Sequence, residues 1–304
     1  MKIVFMGTPD FAVPSLKLLL ESKYEIAAVV TAPDKERGRG RKVSFTPVKE
    51  FALQNNLPVL QPEKLKNPEF ANQLKDFNAD LFVVVAFRIL PASVFTIPPK
   101  GSFNLHGSLL PKYRGAAPIQ WAIINGEKET GVTTFKLEEK VDTGNIYLQE
   151  KLRIDDEDDL GSVHDKMSML GAEVVLKTVD IINSGNFELQ KQDDSLASPA
   201  PKITRETGKI DWNKSAEEIH NLIRGLSPFP GAYFSHNEKQ IKIYKTKNSD
   251  SEKLKPAEIK QTKRELFIGT GKGTLEVLEL QQEGKKRMTT EEFLRGFSFK
   301  EFCL

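Results

Sequence analysis

Cysteine is almost missing from this chain of 304 residues, where Cys303 is the one thiol. That excludes an intramolecular disulfide or a thiolate zinc site, and it suits a reducing compartment. Histidine is nearly as scarce, and His106, His164, His220 and His236 never fall at metal-ligand spacing, so no metal is expected. Long hydrophobic runs are lacking too: the longest, Leu81 to Phe87, is far short of the ~20 residues a bilayer span needs. The opening "MKIVFMGTPD" meets Asp10 before an export-type apolar segment can form, so no signal peptide is expected. No internal repeat or low-complexity tract is present. Together these absences point to a cytoplasmic protein that neither crosses nor binds a membrane.

What is present is length for two domains, each with its own core, and an uneven distribution of charge. Residues 201–304 hold 20 Lys+Arg against 15 Asp+Glu, whereas residues 1–200 hold 24 against 27. Within that acidic part, "DKERGRGRKVSFTPVK" (34–49) carries six basic and two acidic residues. Both features suit a polyanionic partner. A solvated charge run is the plainer alternative.

The first 185 residues alternate buried-strand and helix patterns. "KIVFMG", "EIAAVVTA" (25–32), "LPVLQP", "ADLFVVVAF" (79–87) and "GSFNLH" read as strands. "FAVPSLKLLLES" (11–22), "TPVKEFALQNN" (46–56) and "NPEFANQLKDFN" read as helices, the last with Asn67 as cap and Pro68 at the first helical position. Such alternation predicts a doubly wound, mainly parallel α/β sheet. "TGVTTFKLE" (130–138) and "GNIYLQEKLRI" (144–154) add a hairpin, and a long helix over 159–185 closes the domain. Residues 186–210 lose periodicity and read as a linker. Then Ser215 and Glu218 form a capping box for a helix over 215–226. Short strands broken by Gly, Lys and Asn follow, which predicts a small OB-like β-barrel over 211–304, a fold often found on nucleic acid.

Asn104 and His106 lie two residues apart at the end of a predicted parallel strand, just before a turn. That spacing aims both side chains the same way, at the strand end where open α/β sheets bind ligands. With Asp142, in the hairpin loop, they could serve acyl transfer to an amine. Asn104 would donate to the oxyanion, His106 would move a proton, and Asp142 would stabilise the imidazolium. On spacing alone, a core histidine bonded to a backbone carbonyl is the slightly better alternative.

Longer motifs narrow the choice. "FNLHGSLLPKYRGAAPIQWAIINGEKETGVTT", "VDTGNI", "MGTPDFAVPSL" and "KIDWNKSAEEIHNLIRGLSPFPGAY" closely resemble the 10-formyltetrahydrofolate-dependent formyltransferases. The likeness covers both domains and is greatest to the branch that formylates methionine on initiator tRNA. It implies a catalytic trio of Asn104, His106 and Asp142, and folate contacts from Ser108, Leu109, Leu110 and Pro111. Many members have an "AYG-x-ILP"-like loop on the folate pocket. This chain has the shorter "AFRILP" (86–91), which puts Phe87, Arg88, Ile89 and Leu90 on the pocket wall with Arg88 in place of a glycine. By itself Arg88 reads as a solvent-facing loop charge. In the tRNA branch an insertion resembling "DKERGRGRKVSF" reaches the acceptor stem, which implies tRNA contacts by Arg37, Arg39, Arg41 and Lys42. Arg39 matches the discriminating arginine, and Lys202 matches a lysine near the acceptor end. The implied co-substrate is 10-formyltetrahydrofolate, the implied partner is initiator methionyl-tRNA, and the chain is expected to act as a monomer.

Two siblings share the catalytic domain: sugar-nucleotide formyltransferases and formyltetrahydrofolate hydrolase domains. A small sugar amine gives no reason for the basic stretch at 34–49. A glycinamide formyltransferase would resemble only the first domain. A non-enzymatic RNA-binding module would have no need of all three of Asn104, His106 and Asp142.

Overall fold

The computed structural model describes residues 1–37, 42–249 and 252–299, with side chains outside 36–43. The chain divides into two compact units: Met1–Gly115, Thr130–Leu152 and His164–Pro199 in the first, and Ala116–Glu129, Arg153–Val163 and Ala200–Leu304 in the second. Among the described residues no helix is long and apolar enough to cross a membrane.

In chain order the elements are β1 (Lys2–Gly7), α1 (Val13–Leu20), β2 (Glu25–Val30), β3 (Lys35–Arg37), β4 (Lys42–Ser44), α2 (Pro47–Gln54), β5 (Val59–Leu60), α3 (Pro68–Asp76) and β6 (Leu81–Val85). There follow α4 (Ala92–Phe95), β7 (Ser102–His106), β8 (Arg114–Gly115), α5 (Pro118–Ile124), β9 (Glu129–Lys136), β10 (Ile146–Arg153) and α6 (Leu160–Ser184). The chain continues through β11 (Pro199–Ala200), α7 (Ala216–Gly225), β12 (Ala232–His236), β13 (Lys239–Ser249), β14 (Ile259–Gln261), β15 (Leu266–Gly269), β16 (Thr274–Gln282), β17 (Met288–Thr289) and α8 (Thr290–Leu294).

The seven-stranded sheet of the first unit has the order β10-β9-β7-β6-β1-β2-β5. Pairing is parallel from β5 across to β7 and antiparallel between β7 and β9. The parallel strands show no polar alternation because both faces are covered, and all five residues of β6 are buried. On one face Val4, Met6, Val30, Phe82 and Val84 pack with Phe70 and Leu74 of α3 and Val94 of α4. On the other, α6 lies so close to β7 that a Cβ on Gly171 would stand 2.6 Å from Leu105 Cδ2. The missing side chain at Gly171 leaves that space to Leu105. Polar bonds fix the same helix: Ser168 Oγ donates to the Phe11 carbonyl (2.9 Å), the Tyr24 hydroxyl donates to Asp180 (2.6 Å), and Thr178 and Thr134 hydroxyls meet at 2.7 Å.

The helices start where the sequence marks them. The Asn67 side chain accepts from the Glu69 amide (3.1 Å) ahead of Pro68, and Thr46 accepts from the Lys49 amide (3.1 Å) ahead of Pro47. Each satisfies an amide that the first turn leaves without a partner.

The second unit carries the expected barrel as an antiparallel half-barrel of order β12-β13-β16-β15-β14, with β17 on β16. The Ser215 hydroxyl accepts from the Glu218 amide (3.2 Å) while the Glu218 carboxylate accepts from the Ser215 amide (2.9 Å), so the capping box is complete. Ile219 and Ile223 of α7 and Leu226 just after it share one buried cluster with Ile241, Ile243, Leu275, Val277 and Leu280.

Candidate active site

Leu105 is the hydrophobic anchor of β7 against α6, so Asn104 and His106 are turned to the opposite face. They stand at the carboxyl end of β7, opposite Phe135 and Thr133 of β9. The sheet order reverses at the neighbouring β1 and β6, the place where loops of a doubly wound sheet part.

His106 is 6% exposed, and its Nε2 lies 2.8 Å from the Tyr113 carbonyl. A carbonyl only accepts, so Nε2 carries the proton of the neutral ring and Nδ1 keeps its lone pair. Nδ1 faces Asp142 Oδ2 at 3.9 Å, longer than a hydrogen bond but close enough to stabilise a protonated ring. The carbonyl-bonded core histidine and the catalytic histidine are therefore compatible, because one ring nitrogen serves each purpose. The Asn104 carboxamide is half-buried and has no hydrogen-bond partner among the described residues. Its donor remains available to a ligand.

Asp142 is held by a lattice of bonds that the sequence did not advertise. Its backbone adopts φ +56°, a left-handed conformation that Asp tolerates better than most residues. Its Oδ2 accepts from the Gly115 amide (2.9 Å). The Gln192 amide nitrogen donates to the carbonyls of Asp142 (3.0 Å) and Gly144 (2.7 Å). Arg114 in turn donates from Nε and Nη2 to Gln192 Oε1 (3.2 and 2.7 Å) and from Nη2 to Asp194 (2.7 Å). Gln192 lies in the stretch read as a linker, and with no periodicity there nothing in the sequence singled it out. Truncating it orphans the buried Gly144 carbonyl. Gln192→Ala should therefore cost about 1–3 kcal/mol in urea unfolding, and it should lower kcat as Asp142 loosens. An unchanged midpoint and rate would show the clamp to be dispensable.

The turn after β7 is built around Thr133. Its hydroxyl donates to the Ser108 carbonyl (2.6 Å) and accepts from the Leu110 amide (3.1 Å) and from Gln149 (2.9 Å), while Gln149 also donates to the Leu110 carbonyl (2.8 Å). Ser108 is fully buried with its hydroxyl donating to the Lys112 carbonyl (2.6 Å), and Leu110 packs with Phe135 and Ile146. Both side chains point inward, so the turn presents its backbone with the half-buried Leu109 and Pro111.

In the loop after β6, Ala86 has φ +48° and Ile89 is 74% exposed, whereas Leu90 is buried and Phe87 half-buried. Arg88 is not the solvent-facing charge its loop position suggests. Its guanidinium donates to the carbonyls of Pro62 (2.6 Å) and Glu63 (3.0 Å) and lies 5.3 Å from the Phe87 ring, and burial draws its pKa below the ordinary arginine value. Its buried Nε has no hydrogen-bond partner among the described residues.

The basic stretch is carried on an antiparallel hairpin in which Arg37 pairs with Lys42. Arg39 and Arg41 lie outside the described residues, as do the side chains of Arg37 and Lys42. At the foot of the hairpin Asp34 is bonded by Lys49 and Gln61, which hold its carboxyl below the usual range. Lys202 is exposed in the second unit. The remaining histidines pack or pair locally. His164 meets the Phe11 ring edge-on, His220 bonds the Thr246 hydroxyl (2.9 Å), and His236 lies against Phe297 and Phe299.

Comparisons with known proteins place this fold among the formyltransferases. A family model described as formyl transferase matches residues 1–179, and one described as formyl transferase, C-terminal domain, matches residues 202–298. The methionyl-tRNA formyltransferase of Caldanaerobacter subterraneus subsp. tengcongensis is 50% identical over 304 residues, covering 99% of this chain and 98% of its own. That of Bacteroides thetaiotaomicron is 45% identical over 312 residues, covering 99% and 97%. The solved N-formyltransferase from Helicobacter canadensis, in complex with folinic acid and dTDP-3-aminofucose, matches with a TM-score of 0.69 at 24% identity. It covers 95% of this chain and all of its own, a likeness of fold. The chain belongs to the methionyl-tRNA formyltransferase family.

Proposed function

We propose that this protein transfers the formyl group of 10-formyltetrahydrofolate to the free amine of methionine carried on initiator tRNA, acting as a cytoplasmic monomer without a metal. The observation that carries the chemistry is the arrangement of His106, with Nε2 bonded to the Tyr113 carbonyl and Nδ1 facing Asp142, on the same strand face as an unengaged Asn104 carboxamide. The methionine nitrogen attacks the formyl carbon directly, so no Ser or Cys nucleophile is required. A C–N bond forms to the amine and the carbonyl oxygen becomes an oxyanion that the Asn104 amide donor stabilises. His106 Nδ1 takes the proton that the attacking amine sheds, and the imidazolium is stabilised by Asp142. The same proton passes to the donor nitrogen of the folate as the old C–N bond breaks, which leaves His106 neutral again. Folate is held between the loop of Phe87, Arg88, Ile89 and Leu90 and the turn of Ser108, Leu109, Leu110 and Pro111, the latter through its backbone, Leu109 and Pro111.

In this scheme residues 1–185 are the catalytic domain, 186–210 the linker and 211–304 the tRNA-binding domain. Arg37, Arg39, Arg41, Lys42 and Lys202 contact the tRNA. Phosphate contacts release counterions, so Arg41→Ala and Lys42→Ala should each flatten the dependence of log K on log salt by about 0.7–0.9. Arg39→Ala should instead change which tRNA is accepted, because contact with unpaired acceptor-end bases reads identity. Folate binding should be unaffected. The test is kcat/KM for initiator tRNA and for an initiator mismatched at its acceptor end, at two salt concentrations, for wild type and each variant. Equal values for all would remove the basic hairpin from recognition and favour a small-molecule acceptor.

A further inference from the structure

The second unit contains a cavity of about 540 Å³ that the chemistry above does not use. Its cationic side chains are Lys202, Arg205 and Lys242, and among the described residues no acidic one lines it. Neither Lys202 nor Arg205 has an ion-pair partner among the described residues. The Arg205 guanidinium lies instead 5.9 Å from the ring of the buried Tyr233. At the lip stands Phe229, 76% exposed, the most exposed large apolar side chain among the described residues. A lone exposed apolar residue needs no explanation, but this one sits on a braced loop. The Gly231 amide donates to the Leu226 carbonyl (2.8 Å), Lys242 Nζ donates to the Pro230 carbonyl (2.6 Å), and Gly231 has φ +84° with its Cα side against the Tyr244 ring. The backbone that carries the aromatic ring is thus held at a cavity it shares with two cations that have no ion-pair partner among the described residues.

An exposed aromatic face with neighbouring cations is the chemistry of single-stranded nucleic-acid recognition, in which a base stacks on the ring and its flanking phosphates meet the charges. A duplex end would leave the ring no unpaired base to stack on. We infer that this cavity seats the unpaired 3′ strand of the RNA acceptor, with one base on Phe229 and adjacent phosphates on Lys202 and Arg205. The inference rests on the initiator-tRNA reading above and extends it to a stacking residue.

The test uses the full chain and a hairpin RNA with a short 3′ overhang, in which 2-aminopurine replaces each overhang base in turn. Wild type should bind and quench the probe at one position. Phe229→Ala should lose that quenching and bind about 5- to 150-fold more weakly, the range expected for one base stack. Phe229→Trp should retain both. Lys202→Ala and Arg205→Ala should keep the quenching and each flatten the salt dependence by about 0.7. The inference is overturned if Phe229→Ala binds and quenches like wild type, if wild type quenches at no position, or if a blunt hairpin binds as tightly as the overhang. Formylation of charged initiator tRNA by the same wild-type preparation separates the two claims. Overhang binding without formylation upholds the cavity and removes the acceptor reading, whereas formylation by Phe229→Ala with a wild-type kcat/KM for charged initiator tRNA does the reverse.

Discussion

Replacing His106 with alanine should lower turnover by roughly 10²–10⁴, the usual contribution of a positioned general acid–base. The ring is buried and bonded to the Tyr113 carbonyl, so the variant also removes a buried hydrogen bond, which should cost about 0.5–1.5 kcal/mol of stability. Rate and stability must therefore be separated. His106→Gln offers a donor that can reach toward the same carbonyl but supplies no base. It should recover part of the stability and none of the rate. Asp142→Asn should lose rate in the same direction, since the amide keeps the shape and removes the charge facing Nδ1 at 3.9 Å. The measurements are kcat at saturating folate and tRNA, with urea midpoints for each variant. Loss of stability with wild-type turnover would return His106 to the role of a packing residue.

Asn104→Ala should lower kcat by about 10²–10³, the cost of losing one oxyanion donor. Because that donor acts on charge present only in the transition state, kcat and kcat/KM should fall together while KM holds. The structural consequence should be the opposite of that at His106. The Asn104 carboxamide has no partner within the described residues, so its removal orphans nothing and the unfolding midpoint should stay within about 0.5 kcal/mol. Asn104→Asp should be at least as slow as the alanine variant, since it places a carboxylate beside the oxyanion. A variant with normal kcat would take Asn104 out of the reaction.

These two contrasting profiles follow from what the sequence did and did not disclose. Periodicity was sufficient for the strand alternation, the hairpin of β9 and β10 and the helix starts, because each is decided by neighbours along the chain. The Asn67 cap and the Ser215–Glu218 box lie within three residues of the amides they satisfy. The pairing of Asn104 with His106 was also local, being one strand repeat. What holds Asp142 in place beside them was not. Gln192 reaches back 50 residues to the Asp142 carbonyl, and Arg114 reaches forward 78 to Gln192. Such contacts leave no spacing signal in a single chain. Arg88 illustrates the same limit, since its partners at Pro62 and Glu63 lie 26 and 25 residues back, in the loop that follows β5. Ser108 shows a different one. A serine in a turn looks available, and only the Lys112 carbonyl at 2.6 Å reveals that its hydroxyl closes the turn.

The most direct measurement is the destination of a labelled formyl group. Wild-type protein would be incubated with 10-formyltetrahydrofolate labelled in the formyl carbon, together with methionine-charged initiator tRNA, uncharged initiator tRNA and a UDP-amino-sugar in separate reactions. The predicted result is label on the methionine amine of the charged tRNA alone, dependent on His106 and Asn104. Label on the amino-sugar, or release as formate in the absence of any acceptor at a rate equal to that with charged tRNA, would contradict it.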